Sequence, residues 1–476
     1  MSDDAVDAML RSTRGFAIAA AGCGKTELLA KLVADPRSGR QLVLTHTHGG
    51  VAAIKKRLAD LGVPREKFHL DTIAGWCLRY GAAYPSISGY YPRAEADPDW
   101  EATYPGAEKV CLTALGKRVL AESYNGVLID EYQDCSLKQH ALVRALAGSL
   151  PCRGVGDPLQ TIFGFRNDPV VPWDTVKADF EIVDGHLIEP WRWRREGRNA
   201  ALGDWLVAAR SQLETDRSLV IADDAPVTWI PCGNEDNAAT WTTACRNAGA
   251  PKESLIAILN WPNTCRDLAK RLGGRWPVVE RFDDPDLLQL GEKLVTADGP
   301  TLVVELVAFV AARMTGIGTA LETAVKAIKE GRGISRITKH RDQAERLAAL
   351  AAEPTPANAL AWLDSVLLDR HNDWWLYRRE CAFQLREALR HCAGTAFVEL
   401  PDLIAQARTR ARHRGRPSHR RAIGTPLLVK GLEFEHAVLL WEPDHLSVEG
   451  LYVALTRAAK TLTVVSRSRT LIPRGA

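Results

Sequence analysis

Residues 15–33 read GFAIAAAGCGKTELLAKLV, and the fold turns on this stretch. Gly15 to Ala20 is a short apolar run of buried-strand length, and Glu27 to Val33 places apolar residues at helical spacing. Between them lies Ala21-Gly22-Cys23-Gly24-Lys25-Thr26. A strand, a glycine-rich turn and GKT opening a helix form the setting of a phosphate-binding loop. Gly22 and Gly24 let the backbone curl so that several N–H groups converge on one phosphate, and the helix N-terminus adds partial positive charge. Lys25 would reach the β- and γ-phosphates, and the Thr26 hydroxyl would ligate Mg²⁺. The amides of Ala21, Gly22, Cys23, Gly24, Lys25 and Thr26 are thus the expected nucleotide cradle. The first position of the pattern is Ala19, its relaxed form. By itself the loop says only nucleoside triphosphate, since kinases, GTPases and motors share it.

A second buried strand, Val127-Leu128-Ile129, runs into Asp130-Glu131-Tyr132-Gln133-Asp134. Carboxylates at the carboxyl end of a parallel strand lie where open α/β sheets bind ligands. Asp130 is expected to hold Mg²⁺ and Glu131 to polarise the attacking water as general base. A third strand, Cys152 to Val155, ends in Gly156-Asp157-Pro158-Leu159-Gln160, then Thr161 to Arg166. The Gln160 amide can meet a γ-phosphate or its water. Phe163 and Phe165 offer flat faces to bases, with Arg166 as a neighbouring cation.

Taken in order, AGCGKT, DEYQD, GDPLQTIFGFR, LVKGLEFEHAVLL and YVALTRAAKTL resemble superfamily 1 helicases of the UvrD/Rep/PcrA type. The resemblance implies an α/β fold: two RecA-like P-loop NTPase lobes with parallel sheets, plus two mostly helical insertions. It implies ATP and Mg²⁺ as cofactors, with Lys25 and Thr26 on phosphates and metal, Asp130 and Glu131 as the Walker B pair, and Gln160 as γ-phosphate sensor. Arg192 matches an arginine facing the γ-phosphate, Arg457 the arginine finger of the second lobe, and Glu433 the glutamate that meets the ribose. Thr45, His46, Thr47 and Thr72 match positions along the DNA backbone. An arginine offered across a cleft stabilises charge on the γ-phosphate only when the cleft shuts, which couples chemistry to closure.

The chain also departs from that family. No glutamine precedes residue 41, so the adenine-reading glutamine is absent or replaced. His46 stands for a DNA-stacking phenylalanine, Gly49-Gly50 for a Lys-Ala pair, and Ala74 for a histidine. Pro190 and Trp193 replace Asn and Ser around Arg192.

With 476 residues the chain calls for about two to four domains. The resemblance divides it into a first motor lobe at 1–78 and 126–175, a small insertion at 79–125, a second lobe at 176–285 and 419–476, and a helical insertion at 286–418. The small insertion is rich in Tyr, Pro and Gly and then forms a short helix. Leu255 to Leu259 reads as a strand and Asn263 to Leu272 as a helix. Helical periodicity marks Leu302 to Met314, Ala320 to Lys329, Gln343 to Ala352 and Ala357 to Leu368. Arg408, Arg410, Arg412, Arg414, Arg416, Arg420 and Arg421 crowd the end of this region; they form either a phosphate-binding patch or a solvated segment. Trp374-Trp375 and the Trp191/Trp193 pair read as packing rather than base stacking.

Composition sets the remaining bounds. Hydrophobic residues make up 46% and charged residues 25%, the balance of a chain with real cores. A net charge of +3 gives no whole-chain argument for nucleic acid. The ten cysteines form no CxxC pair, which fits a reducing cytoplasm and offers neither a zinc nor an iron–sulfur spacing. No membrane segment, secretory signal or nuclease domain is expected; a partner such as a nuclease subunit would have to supply cleavage.

The leading expectation is therefore an ATP-dependent helicase or translocase on single-stranded or tailed duplex DNA, 3′ to 5′ as the resemblance implies. A DNA-activated ATPase switch with little unwinding is the alternative, since small helicases of this look also occur in antiphage systems such as Gabija. A non-hydrolysing DNA scaffold is the third reading, opposed by the intact Lys25, Glu131 and Arg457.

Overall fold

The computed structural model describes residues 3–91, 99–164, 168–183, 185–233, 237–368, 373–392, 394, 396–414, 419–442 and 446–475. The chain forms two compact units: Met1–Pro231 with Lys430–Ala476, and Cys232–Val429.

In the first unit, β1 (Arg14–Ile18), β2 (Gln41–Thr45), β3 (Phe68–Thr72), β4 (Gly126–Ile129), β5 (Cys152–Gly156) and β6 (Glu181–Ile182) build one sheet in the order β3-β2-β4-β5-β1-β6. Every pairing is parallel. Such a sheet needs cover on both faces, and its central strands β2 and β4 are near-continuous apolar runs for that reason. Successive side chains point to opposite sides. Phe16, Leu42, Leu44, Val127, Ile129 and Cys152 enter one core. Ala17, Val43, Leu128 and Val155 enter the other, beneath the helix Lys25–Ala34.

β5 lies between β1 and β4. The phosphate-loop turn, the Asp130-Glu131 turn and Asp157 therefore leave the sheet along one carboxyl-end rim. The same unit holds a second parallel sheet, in which β14 (Ala458–Ser466) pairs with β13 (Phe434–Leu440) and with β8 (Thr228–Pro231). A short antiparallel pair joins β7 (Leu219–Val220) to β15 (Thr470–Leu471). The architecture is α/β with parallel sheets, as the strand–turn–helix motifs lead one to expect.

Residues 79–125 are more helical than their Pro and Gly content suggests. Helices Trp100–Leu112 and Ala114–Ser123 follow the helix Ile73–Ala83, and Pro105 lies inside the first of them. Ala107 and Cys111 share a core with Trp76 and Cys77, and this burial holds the helix together across the proline.

In the second unit, β9 (Leu255–Ile258) and β12 (Arg421–Gly424) run parallel, and β10 (Met314–Thr315) pairs antiparallel with β11 (Trp375–Leu376). Helices Pro285–Thr296, Gly299–Ala311, Ile317–Lys329, Arg341–Ala352, Pro356–Leu367, Arg379–His391 and Leu400–Arg414 surround an apolar core that includes Leu306, Trp362 and Leu385. Three of these helices start on a capping side chain followed by proline in the first turn: Asp284, Asp298 and Thr355 each accept a backbone N–H. Buried charges are paired. Arg378 meets Glu280 at 2.9 Å and also Asp284, while Arg313 reaches Asp286 at 3.1 Å. Glu280, Asp284 and Cys381 lie close enough together to suit a cation, but guanidiniums already balance the two carboxylates.

The arginine run is spent largely inside its own unit. Arg408 and Arg412 share Asp283, and Arg410 and Arg414 share Glu387. Arg421 lies over the Trp276 ring. Arg416 falls outside the described residues. Among the described residues no helix is long and apolar enough to cross a membrane.

Candidate nucleotide site

The glycine-rich turn takes the shape its sequence requires. Gly22 has φ 74° and Gly24 φ 93°, both in the left-handed region that favours glycine. The turn bends straight into the helix Lys25–Ala34. Lys25 is buried, and its ammonium donates to the carbonyls of Ala19 at 2.8 Å and Ala20 at 3.0 Å. It lies 3.9 Å from the Asp157 carboxylate. Cys23 is buried, and that burial raises its thiol pKa.

At the end of β4, Asp130 is buried and its N–H donates to Leu44 O at 2.9 Å. One carboxylate oxygen, Oδ1, has no hydrogen-bond partner among the described residues. Burial, with Glu131 adding repulsion, pushes the Asp130 carboxyl up to about 7, against the pull of Lys25. Glu131 has φ 53°, an uncommon conformation for a residue with a side chain, and it turns the glutamate out of the strand direction. Burial works to raise Glu131, but Lys430, Lys25 and Arg457 pull it below the ordinary carboxylate range. Adjacent carboxylates thus diverge: one is inclined to hold a proton, the other stays ionised. Gln133 ties the turn together by donating to Glu131 and accepting the Asp157 N–H.

Asp157, fully buried at the end of β5, accepts from Arg210 at 2.5 Å and from the Gln160 side-chain amide at 2.7 Å. Lys430 donates to both carboxylate oxygens of Asp134, at 2.6 and 2.5 Å, and to Gln160 O at 2.5 Å. Burial pushes Asp134 up to about 7 even with the ammonium beside it.

The opposite wall is built around β13, β14 and the helix Val448–Leu455. Arg192 N–H donates to Gly22 O at 3.1 Å, and the Arg192 side chain reaches Thr456 O at 2.9 Å and Glu433 at 3.0 Å. Arg198 takes the other Glu433 oxygen at 3.0 Å. Trp193 donates to Ala458 O at 2.8 Å, and its ring fills the space a side chain at Gly22 would need. The Tyr452 hydroxyl accepts the Ala21 N–H at 3.2 Å.

Arg457 is 1% exposed, and its guanidinium donates to Val453 O, Leu432 O and Thr456 Oγ1 at 2.8, 2.9 and 2.8 Å. These oxygens carry no net charge. Burial and the Arg192 cation push Arg457 down to about 9. A buried cation held only by neutral oxygens is costly unless an anion comes to it.

The structure therefore brings Lys25, Asp130, Glu131, Gln160, Arg192, Glu433 and Arg457 into one connected cluster. The residues expected to face nucleic acid are placed less uniformly. Thr45 is buried and lies beside the Asp130 carboxylate, whose pKa it works to lower. His46 is half-buried, with Nε2 3.5 Å from Cys135 Sγ. Thr47 and Thr72 cap the helices that follow them, each accepting a glycine N–H; Thr47 is exposed and Thr72 buried. Phe163 is half-buried, with the Lys430 ammonium 5.1 Å from its ring centre. Phe165 and Arg166 lie outside the described residues.

Sequence reasoning missed Arg210, Tyr452 and the Lys430–Asp134 pair. Tyr452, Lys430 and Asp134 stand inside motifs that the reading quoted. Arg210 is a single arginine on the helix Ala200–Asp216, and no local pattern singles it out.

Residues 114–180 match the UvrD/REP helicase N-terminal domain family. Over 67 residues the chain is 39% identical to a probable DNA helicase of Mycoplasma pneumoniae (strain ATCC 29342 / M129 / Subtype 1), covering 14% of this chain and 13% of that protein. Among solved structures, a complex of Arterivirus nonstructural protein 10 (helicase) with DNA aligns with TM-score 0.34 at 11% identity, covering 97% of this chain and 63% of that one. A crystal structure of Arterivirus nonstructural protein 10 (helicase) gives TM-score 0.35 at 11% identity, covering 97% and 61%. The chain thus spans less than two thirds of the length of each of these proteins.

Proposed function

We propose that this chain, similar to superfamily 1 helicases of the UvrD/Rep/PcrA type, hydrolyses ATP in the cleft between its two parallel sheets and uses the cycle to move on single-stranded DNA. Travel from 3′ to 5′ and the opening of a tailed duplex are part of this reading. The amides of residues 21–26 cradle the phosphates, and Lys25 neutralises them. Glu433 meets the ribose.

The residues present fit Mg²⁺. The buried, unpartnered Oδ1 of Asp130 is a hard oxygen ligand, and Thr26 opens the helix beside it. Asp130 and Thr26 would hold the metal, whose positive charge would offset the negative charge that develops on the terminal phosphate. Glu131, kept ionised by the surrounding cations, accepts the proton of the attacking water. Gln160 orients that water, and Arg192 and Arg457 stabilise the charge on the transferred group.

One observation carries the reading: a buried Arg457 whose guanidinium, among the described residues, hydrogen-bonds only neutral oxygens, close to Glu131, which also feels Lys25. ATPase rates with and without single-stranded DNA, followed by strand displacement on both tail polarities, test it. DNA-stimulated hydrolysis with displacement from a 3′ tail is expected; absence of hydrolysis overturns the reading. Lys25→Ala or Glu131→Gln should abolish turnover and leave the melting temperature within a few degrees of wild type. Retained turnover in either removes the corresponding role.

A DNA-activated ATPase switch is the second reading. The inward-facing His46 and the internally paired arginines at 408–414 favour it, because both reduce what the protein offers to a strand. Stimulated hydrolysis without displacement on either tail would select it.

A further inference from the structure

We propose that Arg210 is a positioning residue of the nucleotide site, fixing the orientation of Gln160 through Asp157. This rests on reading the cleft as an ATPase site.

Asp157 is fully buried, so its charge must be met locally. Two cations are in reach: Arg210 at 2.5 Å from Oδ1 and Lys25 at 3.9 Å from Oδ2. Lys25 is the group that a bound phosphate competes for, and it is already shared with Ala19 O and Ala20 O. Arg210 has no such competing duty. It stays on Asp157 Oδ1 whether or not Lys25 is engaged elsewhere. A carboxylate held by a guanidinium accepts hydrogen bonds from its other neighbours. Its Oδ2 therefore takes the NH₂ side of the Gln160 amide, at 2.7 Å, and dictates where the amide oxygen points. Asp157 Oδ1 also accepts the Leu159 N–H at 3.3 Å, which fixes the loop leading to Gln160.

Arg210 is itself locked. It is held by Glu214 at 2.9 Å one helical turn away, and its guanidinium lies 5.4 Å from the centre of the Tyr452 ring. The Tyr452 hydroxyl in turn takes the Ala21 N–H of the phosphate loop. One guanidinium thus links the helix Ala200–Asp216, the Asp157–Gln160 arm, and the helix Val448–Leu455 that leads to Arg457. A closed network of charge-assisted bonds holds geometry better than its members do singly.

The test compares wild type, Arg210→Lys, Arg210→Met and the double variant Arg210→Met/Asp157→Asn, measuring kcat, KM for ATP and melting temperature. Arg210→Met should lower kcat about tenfold or more with KM within about threefold, because water orientation suffers more than phosphate binding. Arg210→Lys, which keeps the cation, should recover part of kcat. The double variant removes the stranded charge; it should regain the melting temperature lost in Arg210→Met but not kcat. A purely structural salt bridge predicts the opposite: kcat returning with stability in the double variant, or kcat unchanged in a folded Arg210→Met. Either result overturns the proposal. If wild type itself hydrolyses no ATP, the ATPase reading fails instead, and the two failures are distinct.

Discussion

Arg457 and His46 show what burial does to single charges in this protein. Among the described residues the Arg457 guanidinium hydrogen-bonds only neutral oxygens, with Glu131 and Glu433 acting on it from farther off, so it can stabilise negative charge that arrives or develops there. Arg457→Ala should lower kcat by roughly 10³-fold or more while ATP affinity changes far less; single-turnover hydrolysis and nucleotide titration check this, and a near-normal kcat removes the finger. His46 is the opposite case, an imidazole that burial and Lys430 push down to about 3. The folded protein therefore keeps it neutral, while the unfolded chain protonates it below an ordinary pKa of about 6.5. Its contribution is fully present above that value and is lost as pH falls from there toward 3, at up to about 1.4 kcal/mol per pH unit. His46→Phe should lack this slope. Urea melts at pH 7.5 and 5.5 should show the variant losing roughly 1 kcal/mol less than wild type between them; equal losses would mean the imidazole titrates freely.

Single elements explain which parts of the fold and site were legible in the sequence. The phosphate-loop strand, expected at Gly15 to Ala20, lies at Arg14–Ile18, and the helix, whose spacing is read over Glu27 to Val33, lies at Lys25–Ala34. Local rules suffice there: an apolar run, two glycines with positive φ, then helical spacing. The same holds for the helices Ile317–Lys329, Arg341–Ala352 and Pro356–Leu367, whose apolar spacing and proline or alanine content carry the signal. Helix Trp100–Leu112 was not legible at full length, because Pro105-Gly106 reads as a break and only the shared core with Trp76 and Cys77 overrides it. Motif residues that take part through a distant partner are half legible: Asp134 and Lys430 stand inside the motifs, yet their pairing spans nearly 300 positions. The arginine-rich helix Leu400–Arg414 has an ambiguity that local sequence could not resolve. Its partners are Asp283, over a hundred residues earlier, and Glu387 on the preceding helix. Removing that second partner tests the pairing. Arg410 and Arg414 hold the Glu387 carboxyl below its ordinary pKa despite partial burial. Its stabilising share is present above the ordinary value of 4.5 and lost as pH falls through the depressed one. Glu387→Gln should cost about 1 kcal/mol at neutral pH, and the difference from wild type should shrink in acid. Denaturant melts at pH 7 and 3.5 measure it; a variant as stable as wild type at pH 7 would show the arginines solvated rather than keyed.

Across the whole molecule, the chain leaves the second compact unit and re-enters the first at Lys430. At that residue the backbone is tied by its own side chain to Asp134 and to the carbonyl of Gln160. Whatever displaces the strand entering β13 therefore acts first on the turn that follows the acidic pair and on the arm that carries the sensor glutamine. Lys430 also lies over the Phe163 ring, so the aromatic platform proposed for bases shares the same ammonium. The strength of this tie depends on pH in a definite sense. Burial already brings Asp134 up to about 7 with Lys430 in place. Without the ammonium its pKa must rise further. Below pH 7 Asp134 is then protonated with or without Lys430, and Lys430→Met should cost little through this term. Above pH 7 the wild-type carboxyl ionises against its partner while the variant must hold its proton, and the gap should widen by about 1.4 kcal/mol per pH unit until the variant's own pKa is reached. Urea melts of wild type, Lys430→Met and Lys430→Met/Asp134→Asn at pH 6 and pH 8 check it. The single variant should fall away from wild type at pH 8 and the double should not. A gap that is the same at both values would show that the lysine contributes packing alone.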